Sequence, residues 1–124
     1  MYKMNSCNEI SSEAECTKSL QAVRDALYVI NGKWKLPIII CLMHNKRRFK
    51  EMQRQITGIT AKMLSQELKE LEMNELVKRS VFDTIPVSVE YEITEYAHSL
   101  HKVIQELHIW GENHRKHILK SMKA

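Results

Sequence analysis

At 124 residues, with 44% apolar and 27% charged side chains, the chain has the size and composition of a single globular domain. Its longest apolar run, Leu36 to Met43, is far short of the ~20 residues that span a bilayer, and MYKMNSCNEISSE lacks the apolar core of a secretory leader, so a cytoplasmic location is expected. The net charge of +4 is concentrated: residues 33–79 hold eleven Lys/Arg against five Asp/Glu, whereas the flanking segments 1–32 and 80–124 are each net −1. A basic middle between acidic ends is the electrostatic footprint of a phosphate-binding surface.

Residues 1–16 are polar and are expected to form a flexible arm, leaving 17–124 as one domain. From Lys18, Leu20, Val23, Leu27 and Ile30 recur at helical spacing, and Asn31-Gly32 closes this first helix. Trp34 to Met43 is apolar nearly all round, which predicts a central core helix, with Pro37 tolerated near its first turn. Phe49 to Ile56 predicts a short third helix with Phe49, Met52 and Ile56 inward, followed by the turn Thr57-Gly58-Ile59.

Thr60 is a good N-cap for a fourth helix running from Ala61 to about Asn74. Leu64, Leu68 and Leu71 form its buried stripe, and Lys62, Ser65, Gln66 and Lys69 lie opposite. Val77 to Phe82 and Val87 to Ile93 predict two strands joined by Asp83-Thr84-Ile85-Pro86. Thr94 then caps a last helix reaching about Lys120, with Leu100, Val103, Ile104, Leu107, Trp110 and Ile118 as its apolar positions. The predicted order is ααααββα, mainly α with a small β-hairpin: a helix-turn-helix followed by a wing.

This arrangement presents a helix to a DNA groove. Base edges are read by residues near the start of such a helix, which here are Lys62, Ser65, Gln66 and Lys69. Lysine suits guanine O6/N7, and glutamine pairs bidentately with adenine N6/N7. Lys46, Arg47, Arg48 and Lys50 precede the helix pair and are candidates for phosphate contact, joined by Thr60, Lys78 and Arg79. Glu67, Glu70, Glu72 and Glu75 would be repelled by phosphate and are expected to point away or to engage basic neighbours. This acidic half also leaves room for an alternative, a winged-helix module that binds protein.

Other chemistry has little support. Three cysteines without CxxC spacing argue against a disulfide framework or a zinc finger, and Cys41 reads as a small buried hydrophobe. His98/His101 and His114/His117 are three apart, but no Cys or carboxylate completes a metal set, so they read as solvated helix histidines and no metal or cofactor is expected. No glycine-rich phosphate loop or Ser/His/Asp set occurs in a recognisable context, so no catalytic residue is assigned.

Several short pieces together resemble one family, the HxlR-type winged helix-turn-helix regulators, relatives of the MarR-like group. They are Gly32-Lys33-Trp34, Arg48-Phe49 with Met52, Gly58-Ile59-Thr60 running into Lys62-Met63-Leu64, and Leu68-x-x-Leu71 with Glu72. Leu76-Val77, Pro86-Val87 with Glu90-Tyr91, Thr94 and Trp110-Gly111 follow in order. The resemblance implies a homodimer joined through its first and last helices. It would bind a pseudo-palindromic operator in double-stranded DNA, often as a repressor. Some members of the family sense oxidants through an N-terminal cysteine. That position is Gln21 here, and Cys16 lies five residues upstream between Glu15 and Thr17. Cys16 is therefore the candidate redox residue, favoured by nearby Lys18 and opposed by Glu13 and Glu15.

Overall fold

The computed structural model describes residues 12–123. Residues 1–11 of the expected arm, Cys7 among them, lie outside the described residues. Helix α1 runs over Glu13–Val29, five residues earlier than its apolar spacing suggests. The early start has a local cause: Ser12 Oγ accepts from the Glu15 amide at 3.0 Å, and Glu13 and Glu15 sit at the positive end of the helix. Glu13 to Cys16 are thus helical, not part of an arm. The apolar residues of α1 are exposed: Leu20, Val23 and Leu27 keep 56–61% of their surface. The chain divides into two compact units at Gly32–Lys33, where Gly32 holds the left-handed φ of +83°.

The second unit contains α2 (Lys35–His44), β1 (Arg47–Arg48), α3 (Phe49–Gln55), α4 (Ala61–Met73), β2 (Val77–Phe82) and β3 (Ser88–Ile93). A 3₁₀ turn, Tyr96–Leu100, then leads into α5, His101–Lys123. The two strands expected of a wing pair antiparallel, Val77 opposite Ile93 and Phe82 opposite Ser88. A third, two-residue strand adds to their edge: Arg47 pairs with Tyr91 and Arg48 with Glu90, giving the order β1-β3-β2. The last helix is not continuous from Thr94, because its first five residues are wound as the 3₁₀ turn.

Ile38, Ile39 and Leu42 of α2, Met52 of α3, and Leu64, Leu68 and Leu71 of α4 form the core. Leu76, Val77 and Tyr91 close it from the sheet. Each such side chain contributes about 1.5–3 kcal/mol when fully buried, so α4 is held by three of the strongest contacts available to it. α2 is less uniformly buried than its composition suggests. Its Ile40 stays 44% exposed, whereas its first residue, Lys35, is only 3% exposed.

Candidate nucleic-acid interface

The turn between α3 and α4 depends on Gly58, whose φ of +91° is open to glycine and costly for L side chains. Trp34 Cη2 stands 3.7 Å from where a Cβ would lie. Thr60 then caps α4 as its sequence suggests: its extended backbone leaves Oγ1 to accept from the Met63 amide at 3.1 Å. The same hydroxyl is a phosphate candidate, and the cap occupies one of its lone pairs.

From this cap, α4 divides cleanly. Leu64, Leu68 and Leu71 are at most 1% exposed, and Lys62, Ser65, Gln66 and Lys69 all lie in solvent. Their spacing of three, one and three residues places the four on one face of the helix. The structure thus brings together all four candidate base-reading side chains.

The phosphate candidates are more scattered. Arg48 and Lys50 are exposed and border one shallow surface with Glu51 and Arg54. Glu51 Oε1 turns back to accept from the Arg48 amide at 2.8 Å, which leaves the Arg48 side chain in solvent. Arg54, missed from the sequence alone, is legible in hindsight: it lies four residues after Lys50, one turn along the same helix. Lys46 lies 3.8 Å from Glu90, and Lys78 lies 3.9 Å from Glu92, its cross-strand neighbour. Both are loose surface ion pairs that screen positive charge without fixing it. Arg79 is exposed opposite Tyr91. The wing tip carries Asp83 and a fully exposed Ile85, with no base between Phe82 and Ser88.

Arg47 stands apart from the other bases. It is half-buried, and its Nε has no hydrogen-bond partner. It borders the same pocket as Cys41 and Gln55. Cys41 is half-exposed, and its Sγ donates to Gln55 Oε1 at 2.7 Å. Burial raises the Cys41 thiol pKa, against the lowering effect of the Arg47 charge. Cys16 is exposed in the first turns of α1. On α5, the His114 ring stacks on Trp110, with centroids 4.8 Å apart.

The acidic half of α4 has a partner that the sequence does not reveal. Lys35 Nζ donates to both carboxylate oxygens of Glu67, at 3.3 and 3.0 Å, and to Glu70 Oε1 at 2.8 Å. Burial alone would lower the Lys35 pKa, but hydrogen bonds and charge from Glu70 and Glu67 outweigh it and leave the pKa raised. Glu70 is held below its usual range by hydrogen bonds from Lys35 and Gln66 and by the Lys35 charge. Two of the four acids thereby share one ammonium beside the exposed basic face, which halves their combined charge.

The sign of the pH effect follows. A carboxylate with a depressed folded pKa adds stability above its unfolded value, and that stability is lost as the pH falls through the folded value. The raised Lys35 pKa acts only at strongly alkaline pH. Acidification into and below the ordinary carboxylate range should therefore lower the melting temperature. Glu70→Gln should flatten that acid limb, as thermal melts across the range would show. An unchanged acid limb would mean that the Lys35–Glu70 pair adds nothing to stability.

The HxlR-like helix-turn-helix family model matches residues 29–119, which include the whole helix pair, the wing and most of α5. The chain belongs to the HxlR-like helix-turn-helix family. The HTH-type transcriptional regulator YtcD of Bacillus subtilis is 44% identical to this HxlR-like chain over 93 residues, 75% of this chain and 74% of YtcD. The crystal structure of that regulator superposes with a TM-score of 0.72, covering 76% of this chain and 96% of the other. The redox regulator HypR in its reduced form is 37% identical, with a TM-score of 0.75 over 81% of this chain and 98% of HypR. The HxlR-like chain is accordingly a winged helix-turn-helix transcriptional regulator that binds DNA. No helix among the described residues is long and apolar enough to cross a membrane.

Proposed function

We propose that the chain acts as a cytoplasmic homodimeric repressor that reads a pseudo-palindromic operator through the exposed face of α4. The observation that carries this reading is the division of α4. A capped N-terminus and three buried leucines fix the helix, and Lys62, Ser65, Gln66 and Lys69 are exposed on the other side. Arg48, Lys50 and Arg54 supply exposed positive charge from the preceding helix, and Arg79 supplies it from the wing.

Two copies are favoured by the apolar surface left open. Val103, Leu107 and Trp110 on α5 keep 44–66% of their surface exposed, at the helical spacing of one stripe. An open cleft of about 930 Å³ runs beside them, lined in part by Leu36, Ile40 and Met43 of α2 and Ile104 and Leu107 of α5. The apolar stripe of α1 is exposed as well, and exposed apolar faces of this kind mark surfaces that bury against a partner. Paired recognition helices would then address half-sites about 34 Å apart.

Selection from a random duplex pool tests the reading, with Gln66→Ala as the comparison. The unmutated chain should recover a two-fold symmetric site. Gln66→Ala should lose preference at one base position per half-site, about 1–3 kcal/mol of discrimination, with little change in affinity for random duplex. Equal losses on selected and random DNA would remove Gln66 from base reading.

A further inference from the structure

We propose that Glu70, anchored on the buried Lys35, fixes the direction of the Gln66 amide and is thereby a positioning residue for base selection. The proposal rests on the reading of Gln66 as a base-contacting residue. Its geometry is a short chain of hydrogen bonds from the core to the surface. Lys35 Nζ, 3% exposed, donates to Glu70 Oε1 at 2.8 Å, and Gln66 Nε2 donates to Glu70 Oε2 at 3.0 Å.

A carboxylate can only accept, so the amide end turned toward Glu70 must be the nitrogen. The Gln66 carbonyl oxygen is therefore directed away from Glu70. The second N–H of Nε2 and the free Oε1 remain as one donor and one acceptor in a fixed order, the pair needed for the N7 and N6 of adenine. A glutamine free to rotate would present either order and lose rotamer entropy on binding.

Lys35 explains how an acid is tolerated one turn beyond a base reader. An isolated Glu70 would be repelled by nearby phosphate. Here its charge is partly offset by an ammonium that Glu67 shares from the other side at 3.0 and 3.3 Å. The anchor sits at the first position of α2, in the core, so the carboxylate is tied to the scaffold as well as to its own helix.

The proposal makes an unusual prediction for an isosteric change. In Glu70→Gln, the one remaining carboxamide oxygen is claimed by the Lys35 charge, which turns the new NH₂ group toward position 66. Gln66 can then answer only with its carbonyl, so its amide turns over and its donor and acceptor change places. Duplex selection, repeated with each variant, reads the result at the base position that Gln66→Ala flattens. Glu70→Gln should cut the preference there by roughly tenfold, or exchange the preferred base. Glu70→Ala, which merely frees the amide, should cut it about twofold.

Affinity for random duplex serves as the control for folding; the melting temperature at neutral pH should fall only by the part that the acid limb of the unmutated chain loses. In a Gln66→Ala background, both changes at position 70 should leave the remaining base preferences untouched. Two results would overturn the relay: an unaltered preference in Glu70→Gln, or the same shift with and without Gln66. Should Gln66→Ala itself leave every base preference intact, the base-reading assignment fails first, and the relay fails with it.

Discussion

Raising the salt from about 50 to about 200 mM should weaken binding to a duplex by about a thousandfold. The cause is counterion release. Each phosphate neutralised by a Lys or Arg frees bound cations, so affinity falls with a slope of about 0.9 decades per contact for each decade of salt. About six contacts give the thousandfold figure, and two protomers that each use Arg48, Lys50 and Arg54 would supply that many. Lys46 and Lys78 should contribute less, since Glu90 and Glu92 already lie within 4 Å of them. Replacing Arg54 with alanine should lower the slope by about one contact per protomer and weaken selected and random duplexes alike. Salt titration of fluorescence anisotropy on both duplexes measures it. A flat titration would mean that the basic segment is not a DNA surface.

Leu107→Glu should convert a two-chain particle into single chains and reduce affinity for the selected duplex by about a hundredfold or more. Leu107 sits mid-stripe on α5 and keeps 47% of its surface exposed, so the new carboxylate stays solvated in a monomer and folding is spared. In a two-fold interface it would be buried twice, unpaired on both sides. Losing the partner removes the effective concentration that a first bound half-site confers on the second. Sedimentation analysis gives the mass, and binding to full and half sites gives the affinity. A variant that stays two-chain with full affinity would place the interface elsewhere; one whose affinity falls while its mass is unchanged would argue against dimerisation through α5.

The parts that were legible in the sequence are those governed by local rules. Leu64, Leu68 and Leu71 at helical spacing, Thr60 before them and Gly58 in the turn define α4 and its inward face without reference to any other element. The alternation from Val89 to Ile93 similarly defines a strand. What stayed hidden depends on partners distant in the chain. β1 has two residues, too few for any periodicity, and is a strand only because Tyr91 and Glu90 pair with it. Over the five residues Tyr96–Leu100, apolar spacing does not distinguish three residues per turn from 3.6, so the 3₁₀ winding was missed. Lys35 looks like a surface residue at the edge of an apolar run, and its burial makes sense only once Glu67 and Glu70, 32 and 35 residues later, are brought beside it. The inward position of Arg47 likewise follows from the strand register, not from the basic run that contains it.

Thr94 joins three parts of the molecule at one point. Its Oγ1 donates to the carbonyl of Glu75 at 2.6 Å and accepts from the Ala97 amide at 3.1 Å, and its own amide donates to Leu76 O at 3.1 Å. Glu75 lies just past the end of α4, in the left-handed region with φ of +61°, and Ala97 opens the lead into α5. The exit of α4 and the entry to the last helix are thus held by one side chain. Any coupling carried through this hydroxyl would run both ways: a ligand that reshapes α5 would alter DNA affinity by the same free energy by which DNA alters affinity for that ligand.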